Sequence, residues 1–355
     1  MTTTLKHIAA RAGVSHTTVA SALHGTGRVS DAQRQRIQRL AGEMGYQPRT
    51  VARLLRAKRT GRVGIVVAQP DPVEAMSRAG SFTPLIAAIF KQCKQRCIPQ
   101  HIDFCAAGRD DDGNDDAFTP PEHLAGGLVD GALVMGWLGP RFQSWLDTTA
   151  RKPWVHLTEP APRCVLSDDA DAVRQAARHL AELGHRRVAF ACGDLTYEVH
   201  RAGLKAFHDA ARTFGFEADH DRWIHTMAGD LATLGREAVM DDVLAWALRA
   251  LDAPRRPTAV LYHSGPSARA VVEAARRLNI DVPNQLSLAG YGSRTTAIQA
   301  YPRLTTVERD IDTLVTQALD MLQACIEDPA APPRTEWVAS RLVVRESTAP
   351  CPESR

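Results

Sequence analysis

Residues 4–49 read TLKHIAARAGVSHTTVASALHGTGRVSDAQRQRIQRLAGEMGYQPR, and their apolar spacing lays out three short helices. Leu5, Ile8, Ala9 and Ala12 recur at i, i+3, i+4 and i+7, with Thr4 placed to cap that helix. Gly13 allows the tight turn that sets one helix across the next. Ser15 caps a second helix whose Val19, Ala22 and Leu23 point inward. His16, Thr17, Ala20, Ser21 and His24 are left on its outer face. Ser30 with Gln33 has the form of a capping box and opens a third helix. That helix buries Ile37, Leu40, Ala41 and Met44 and stops at Gly45. A short basic helix follows, so the head is a compact helix-turn-helix reader with a tail.

Charge separates this head from the rest. The 355 residues carry a net charge of +3. Residues 1–60 hold eleven Lys or Arg against two acids, Asp31 and Glu43, a balance of +9, so the remainder carries −6. A basic head on an acidic body is the footprint of a nucleic-acid reader joined to something else. Length and a 44% hydrophobic content suit two or three domains with a proper core. Nothing approaches the roughly 18 consecutive apolar residues of a membrane helix, and no charged-then-apolar leader opens the chain. A cytoplasmic protein is expected.

Seven cysteines, an odd number without such a leader, point to free thiols. Cys93, Cys97, His101 and Cys105 recur every four residues, a spacing that aligns ligands only on one continuous helix. Pro99 interrupts it, so Cys93 and Cys97 are read as small helix hydrophobes and Cys105 as part of the next strand. The acidic run 110–116 lacks the ligand order of a calcium loop and is read as a surface loop. Neither a metal nor a cofactor is expected.

From residue 63 the pattern alternates between strands and helices. Val63-Gly64-Ile65-Val66-Val67-Ala68 is an apolar run of the kind that fills a buried parallel strand. Helix 81–98 follows, then strands near 100–105, 131–135 and 153–157. A second copy begins at Asp168: helix 169–183, strand 187–192, helix 200–214, a strand near 222–227, helix 232–251, strand 258–263, helix 266–279 and strand 286–290. Helix 309–327 and strand 341–345 close the chain. This order predicts an α/β core of two doubly wound lobes with parallel sheets.

These landmarks resemble the LacI/GalR family of transcriptional regulators. The resemblance rests on Thr4–Ala9, Ala12–Ser15, Thr18-Val19, Gly27–Ser30 and Gly45-Tyr46-x-Pro48, with Val51–Arg56 like that family's hinge helix. It continues through 179–188, 286–291, Pro302-x-Leu304-Thr305-Thr306-Val307 and 343–350. It implies a helix-turn-helix domain over 1–48 and a hinge helix and linker over 49–61. A two-lobed, periplasmic-binding-protein-like core is implied over 62–350. Its first lobe would take about 62–160 and 293–326, and its second about 163–290 and 329–346. Crossovers would lie near 160–164, 291–294 and 325–330.

By position in the family, His16, Thr17 and Ser21 read base edges. Lys6, Arg28, Ser30, Tyr46, Arg49 and Arg53 contact phosphates, which fix register without reading sequence. Leu55 wedges into the minor groove. Residues 49–57 are too short to stay helical alone, since isolated helices under about 12 residues are marginal in water. They are therefore expected to fold only when two copies pack on DNA. His7 replaces the family's usual acidic residue, so a reciprocal cap is expected to be lost. Lining the effector cleft by position are Phe82, Asp168, His200 or Arg201, Leu231, Ser264, Gly265 and Gly292. His263-Ser264-Gly265 stands where relatives carry Ala-Asn-Asp, and Gly292-Ser293 where they carry a carboxylate pair. Losing both carboxylates argues against a neutral sugar and for an anionic or less polar effector.

The expected protein is a DNA-binding regulator, a repressor, working as a homodimer on a near-palindromic operator in double-stranded DNA. A small-molecule effector between the lobes controls it; no membrane is involved. No leucine heptad follows Pro350, so the tetramer-forming tail of some relatives is not expected. The alternative is a soluble small-molecule binding protein whose head no longer reads DNA. An enzyme is not expected, for the sequence offers no nucleophile elbow, phosphate loop or paired acid and base.

Overall fold

The computed structural model describes residues 3–24, 27–46, 59–69, 72–107, 118–195, 197–217, 220–227, 231–292 and 294–354. The chain divides into two compact units, Met1–Arg59 and Thr60–Arg355.

The first unit holds helices α1 (Leu5–Ala12), α2 (His16–His24) and α3 (Asp31–Glu43). Ile8, Ala9, Ala12, Val19, Ala22, Ile37 and Ala41 are buried together, with Leu5, Leu23, Leu40, Met44 and Tyr46 packed around them. Gly13 takes φ +68° at the turn between α1 and α2, a conformation that glycine adopts without cost. Ser15 Oγ accepts the Thr18 N–H (3.1 Å) and Ser30 Oγ the Gln33 N–H (3.4 Å), so both expected caps form. The loss of the cap on α1 does not occur. Thr4 N–H donates to His7 Nδ1 at 3.4 Å, so an unprotonated imidazole does what a carboxylate does in relatives.

The second unit is built on two six-stranded sheets. Strands β1 (Val63–Gln69), β2 (Gln100–Ala106), β3 (Gly131–Gly136), β4 (Trp154–His156), β5 (Arg163–Ser167) and β11 (Arg334–Val338) form the first, in the order β11-β5-β4-β3-β1-β2. Strands β6 (Val188–Asp194), β7 (Ile224–Met227), β8 (Ala259–Tyr262), β9 (Ser287–Tyr291), β10 (Thr305–Arg309) and β12 (Ser340–Val343) form the second, in the order β12-β10-β9-β8-β6-β7. All these pairings are parallel except that of β10 with β12. β1, β3, β6, β8 and β9 are buried along their whole length, as their apolar runs require of strands covered on both faces.

The chain passes between the sheets at Asp168, Asp310 and Ala339, not near 160–164, 291–294 and 325–330. The displacement has one cause: β5, β10 and β11 each extend a lobe beyond the last strand that the sequence pattern marks. Residues 163–167 and 334–338 therefore belong to the first sheet, and 305–309 to the second. Two of the three passages end on an aspartate that caps a helix. Asp168 Oδ1 accepts the Asp171 N–H (2.7 Å) at helix Asp169–Glu182, and Asp310 Oδ1 the Thr313 N–H (3.0 Å) at helix Ile311–Glu327. Asp168 N–H reaches Val338 O at 3.3 Å, which ties the first passage to the third.

Where the core begins, the buried carboxylate of Asp130 accepts two backbone N–H groups, from Thr60 (2.7 Å) and Gly61 (2.7 Å). Hydrogen bonds to a charged group contribute about 1.5–3 kcal/mol each, and removing the acceptor strands both donors. Asp130→Ala is expected to destabilise the core by roughly 2 kcal/mol, and Asp130→Asn by about half that. Urea midpoints of the two variants check this; equal losses would mean that the side chain only fills space.

Candidate functional site

Two regions carry the residues with functional potential. In the head, His16 and Thr17 lie exposed in the first turn of α2, and Ser21 is half-buried one turn on. Lys6, Arg28 and Ser30 are exposed, while Tyr46 packs against the head core. Arg34 Nη1 donates to Ala22 O (3.4 Å), which ties α3 to the end of α2 and holds the outer face of that helix in place. Arg49, Arg53 and Leu55 lie outside the described residues.

In the core, the carboxyl ends of the two sheets face each other, the place where open parallel sheets bind ligands. Two hydrogen bonds join the lobes there. Tyr197 Oη donates to Gln69 Oε1 (3.2 Å), and Glu198 N–H donates to Glu159 Oε2 (3.2 Å). Burial pushes the Glu159 carboxyl up to about 7; the Glu198 N–H opposes that shift, and the Glu198 and Asp169 charges add to it.

This shift has a definite sign. An exposed glutamate loses its proton near pH 4.5, whereas Glu159 in the packed lobes keeps its proton until about 7. The lobe contact is therefore strongest at low pH, weakens as pH rises from 4.5 to 7, and stays weak above. The loss amounts to about 3 kcal/mol at most, at 1.36 kcal/mol per pKa unit. Across this window the thermal midpoint of the wild type is expected to fall relative to that of Glu159→Gln, since the buried histidines shift both curves alike. Parallel curves would contradict the assignment.

Around these bonds the second lobe gathers Cys192 from β6, His200 from helix Glu198–Phe214, His263 just after β8, Tyr291 from β9, Arg309 from β10 and Asp169 at the first passage. The Arg309 guanidinium carbon lies 4.7 Å from the Tyr291 ring centroid, its Nε donates to Tyr291 Oη, and its Nη2 stands 3.6 Å from Asp169 Oδ1. Burial raises the Asp169 carboxyl, and the Arg309 charge pulls it back down. His263 stacks on Tyr291 (centroids 5.3 Å apart) and meets His200 edge-on, with their Nδ1 atoms 2.9 Å apart. Burial lowers His200 to about 4 and holds His263 well below its ordinary value, so both rings are neutral near pH 7.

Of the residues expected to line the cleft, His200, Ser264, Gly265 and Gly292 stand together at these strand ends. Ser264 caps helix Gly265–Arg277 by accepting the Ser267 N–H (3.1 Å), and a side chain on Gly292 would meet the Gly265 nitrogen. The others are elsewhere. Arg201 faces outward, its Nε on Glu198 (2.8 Å) and its Nη1 on Leu195 O (2.6 Å), along a shallow groove with Lys205 and Asp209. The Asp168 side chain is spent on its cap. Phe82 packs against the core of the first lobe, and the side chain of Leu231 lies outside the described residues. Cys93 and Cys105 are buried, Cys97 is exposed, and His101 stacks on His123 (4.6 Å) beside Arg62, so that four-residue spacing gathers no ligand set. The acidic run 110–116 lies outside the described residues.

A helical head and a two-sheet core match known proteins in the same order. Residues 4–49 match the family model described as bacterial regulatory proteins, lacI family, and residues 177–348 that of a periplasmic binding protein-like domain. The head is a LacI-family domain and the core a periplasmic binding protein-like one. The chain is 28% identical over 359 residues to the HTH-type transcriptional regulator DegA of Bacillus subtilis (strain 168), covering 99% of each chain. It is 27% identical over 355 residues to the HTH-type transcriptional repressor PurR of Escherichia coli O139:H28, covering 98% of each. It shares its fold with the Lac repressor dimer bound to operator and the anti-inducer ONPF, at TM-score 0.80, 20% identity and coverage of 98% and 100%. The CelR–cellobiose complex gives TM-score 0.64 and 24% identity, with 97% and 99% covered. The family function is DNA-binding transcriptional regulation under effector control in the core. Among the described residues no helix is long and apolar enough to cross a membrane.

Proposed function

We propose that this chain is a repressor that binds a near-palindromic operator as a homodimer and is controlled by a ligand held between its lobes. The carrying observation is α2, whose exposed first turn presents His16 and Thr17 on a head that packs as a helix-turn-helix. Such helices offer their amino-terminal side chains to base edges in the major groove. His16 donates to guanine N7 or O6, Thr17 hydrogen-bonds or sets its methyl against a thymine methyl, and Ser21 makes a shorter contact. Lys6, Arg28, Ser30, Tyr46, Arg49 and Arg53 hold the phosphates. Leu55 enters the minor groove at the operator centre, where two hinges pack on each other. The relative whose structure carries operator is a dimer, and two-fold symmetry of protein implies two-fold symmetry of site.

The cleft is the control point. A ligand that prefers one lobe arrangement by several kcal/mol moves operator occupancy from mostly bound to mostly free, or the reverse. No catalytic step is assigned to the cleft, and the related proteins are named as regulators and repressors. A footprint on the DNA upstream of the protein's own gene tests the reading. A protected segment with two inverted half-sites about one helical turn apart supports it. Absence of any protected segment there and across a random-sequence selection would favour a ligand-binding protein with an idle head.

A further inference from the structure

We infer that the cleft holds a zinc-class divalent cation on Cys192, His200 and His263. The inference rests on the reading of the cleft as the ligand site and names its ligand. One donor atom from each of the three residues lies within 4.8 Å of the other two, and this is the single such group among the described residues. The two histidine Nδ1 atoms face each other at 2.9 Å. Cys192 Sγ lies 3.4 Å from the main-chain oxygen of His200. Tetrahedral zinc, with bonds of about 2.0–2.1 Å to nitrogen and 2.3 Å to sulfur, sets its donors roughly 3.4–3.6 Å apart. The nitrogens need to part by about half an ångström and the thiol to close by no more than about 1.2 Å, movements within side-chain reach.

Two glycines make room for this set. A Cβ on Gly193 would lie 2.3 Å from the His200 ring, and one on Gly203 would lie 2.7 Å from the His263 ring. Any other residue at either position would push an imidazole out of the cluster. The donor chemistry is selective. Two neutral imidazoles and one thiolate suit zinc, cobalt or copper, whereas magnesium and calcium ask for oxygen. Three protein ligands leave a fourth position open to the cleft, for water or an anion.

Charge balance also holds. Binding breaks the Cys192 Sγ–H bond, forms the Sγ–metal bond and releases that proton to solvent, so a doubly charged cation becomes a singly charged centre. The neighbouring Arg309 charge, which disfavours positive charge at His200 and His263, is met in part by Asp169 at 3.6 Å. The four-residue cysteine spacing contributes no ligand to this set.

Cobalt(II) titration of the full chain, with zinc in competition, tests the site. One equivalent is expected to raise a thiolate-to-cobalt charge-transfer band and tetrahedral d–d bands, releasing one proton. Zinc then abolishes both. Cys192→Ser is expected to remove the charge-transfer band and weaken zinc binding at least roughly 100-fold, since even an outer-shell change costs 10–100-fold. Cys97→Ser, which alters an exposed thiol, leaves both unchanged. Should Cys192→Ser not fold, X-ray absorption on wild type with one equivalent of zinc decides: one sulfur and two imidazole neighbours support the site, and a shell of nitrogen and oxygen alone overturns it. A charge-transfer band that survives in folded Cys192→Ser, or no stoichiometric binding, also overturns it. Operator binding is measured on the same preparations. Metal binding that fails while operator binding persists sinks only this inference, and the reverse pattern sinks only the regulatory reading.

Discussion

Arg309→Met is expected to destabilise the core by roughly 2–3 kcal/mol. That lies at or below the 3–5 kcal/mol typical of stripping one partner from a buried ion pair, because the Arg309 side chain keeps 34% of its surface in solvent. The loss comes from what stays behind. Asp169 retains its burial and loses the guanidinium that offsets it, and Tyr291 loses the cation over its ring. Burial already holds the Asp169 carboxyl above its ordinary value, and without Arg309 it rises further. A carboxyl raised in the folded state costs stability as pH climbs past its unfolded value, so the deficit of Arg309→Met grows between pH 5 and pH 8. Denaturant unfolding at both pH values checks this. A deficit that shrinks with pH would mean that Arg309 serves packing alone. The double variant Asp169→Asn/Arg309→Met is expected to recover most of the loss, because no buried charge is stranded.

Leu55→Gly is expected to weaken operator binding by roughly 100-fold, with little change in ligand binding by the core. Two costs combine. A wedging side chain keeps a bent duplex whose unstacking takes a few kcal/mol, and without the wedge the contacts that the bend permits are lost. On the proposed hinge helix glycine would also cost about 1 kcal/mol, and so short a helix would have little stability to spare. Leu55→Ala separates the two, keeping helix propensity while removing the wedge. Anisotropy titrations of a labelled operator read both variants. Affinity for the operator that is unchanged in Leu55→Gly would remove the hinge from the account.

Much of the fold was legible because its signals are local. The head combines a 3.6-residue apolar period with caps at Ser15 and Ser30, and each mark lies within four residues of the next. The inner strands announce themselves as unbroken apolar runs, as in Val63–Ala68. The strands that were missed have no such mark. β11 reads Arg-Thr-Glu-Trp-Val at a sheet edge, with Trp337 mostly exposed, and β10 begins with two threonines and ends Glu308-Arg309. Their place is set by pairing with distant partners, Arg163–Ser167 and Ala289–Tyr291, which no local window contains. The passages between lobes moved with them.

The cleft was legible in part for the same reason. Ser264, Gly265 and Gly292 follow strands directly, so knowing the strand end locates them. Cys192 and His263 also follow from strand ends, but a lone cysteine reads as a small hydrophobe and a lone histidine as a core residue. Only the parallel register of β6 with β8 and the turn into helix Glu198–Phe214 bring them to His200, 8 and 63 residues away. Arg201 misled because a helix turns about 100° per residue, so the neighbour of an inward His200 points to solvent. His7 misled through residue type, since its nitrogen accepts the same hydrogen bond as the missing carboxylate oxygen.

The central claim is that the head reads sequence and does so as a pair. Equilibrium binding of the full chain to its footprinted duplex and to a scrambled duplex, across a salt series, tests this most directly. Two chains per duplex are expected, with at least roughly 1,000-fold preference for the footprinted sequence and affinity that falls steeply with salt on both duplexes. One chain per duplex, or affinities for the two sequences within tenfold of each other, would contradict it.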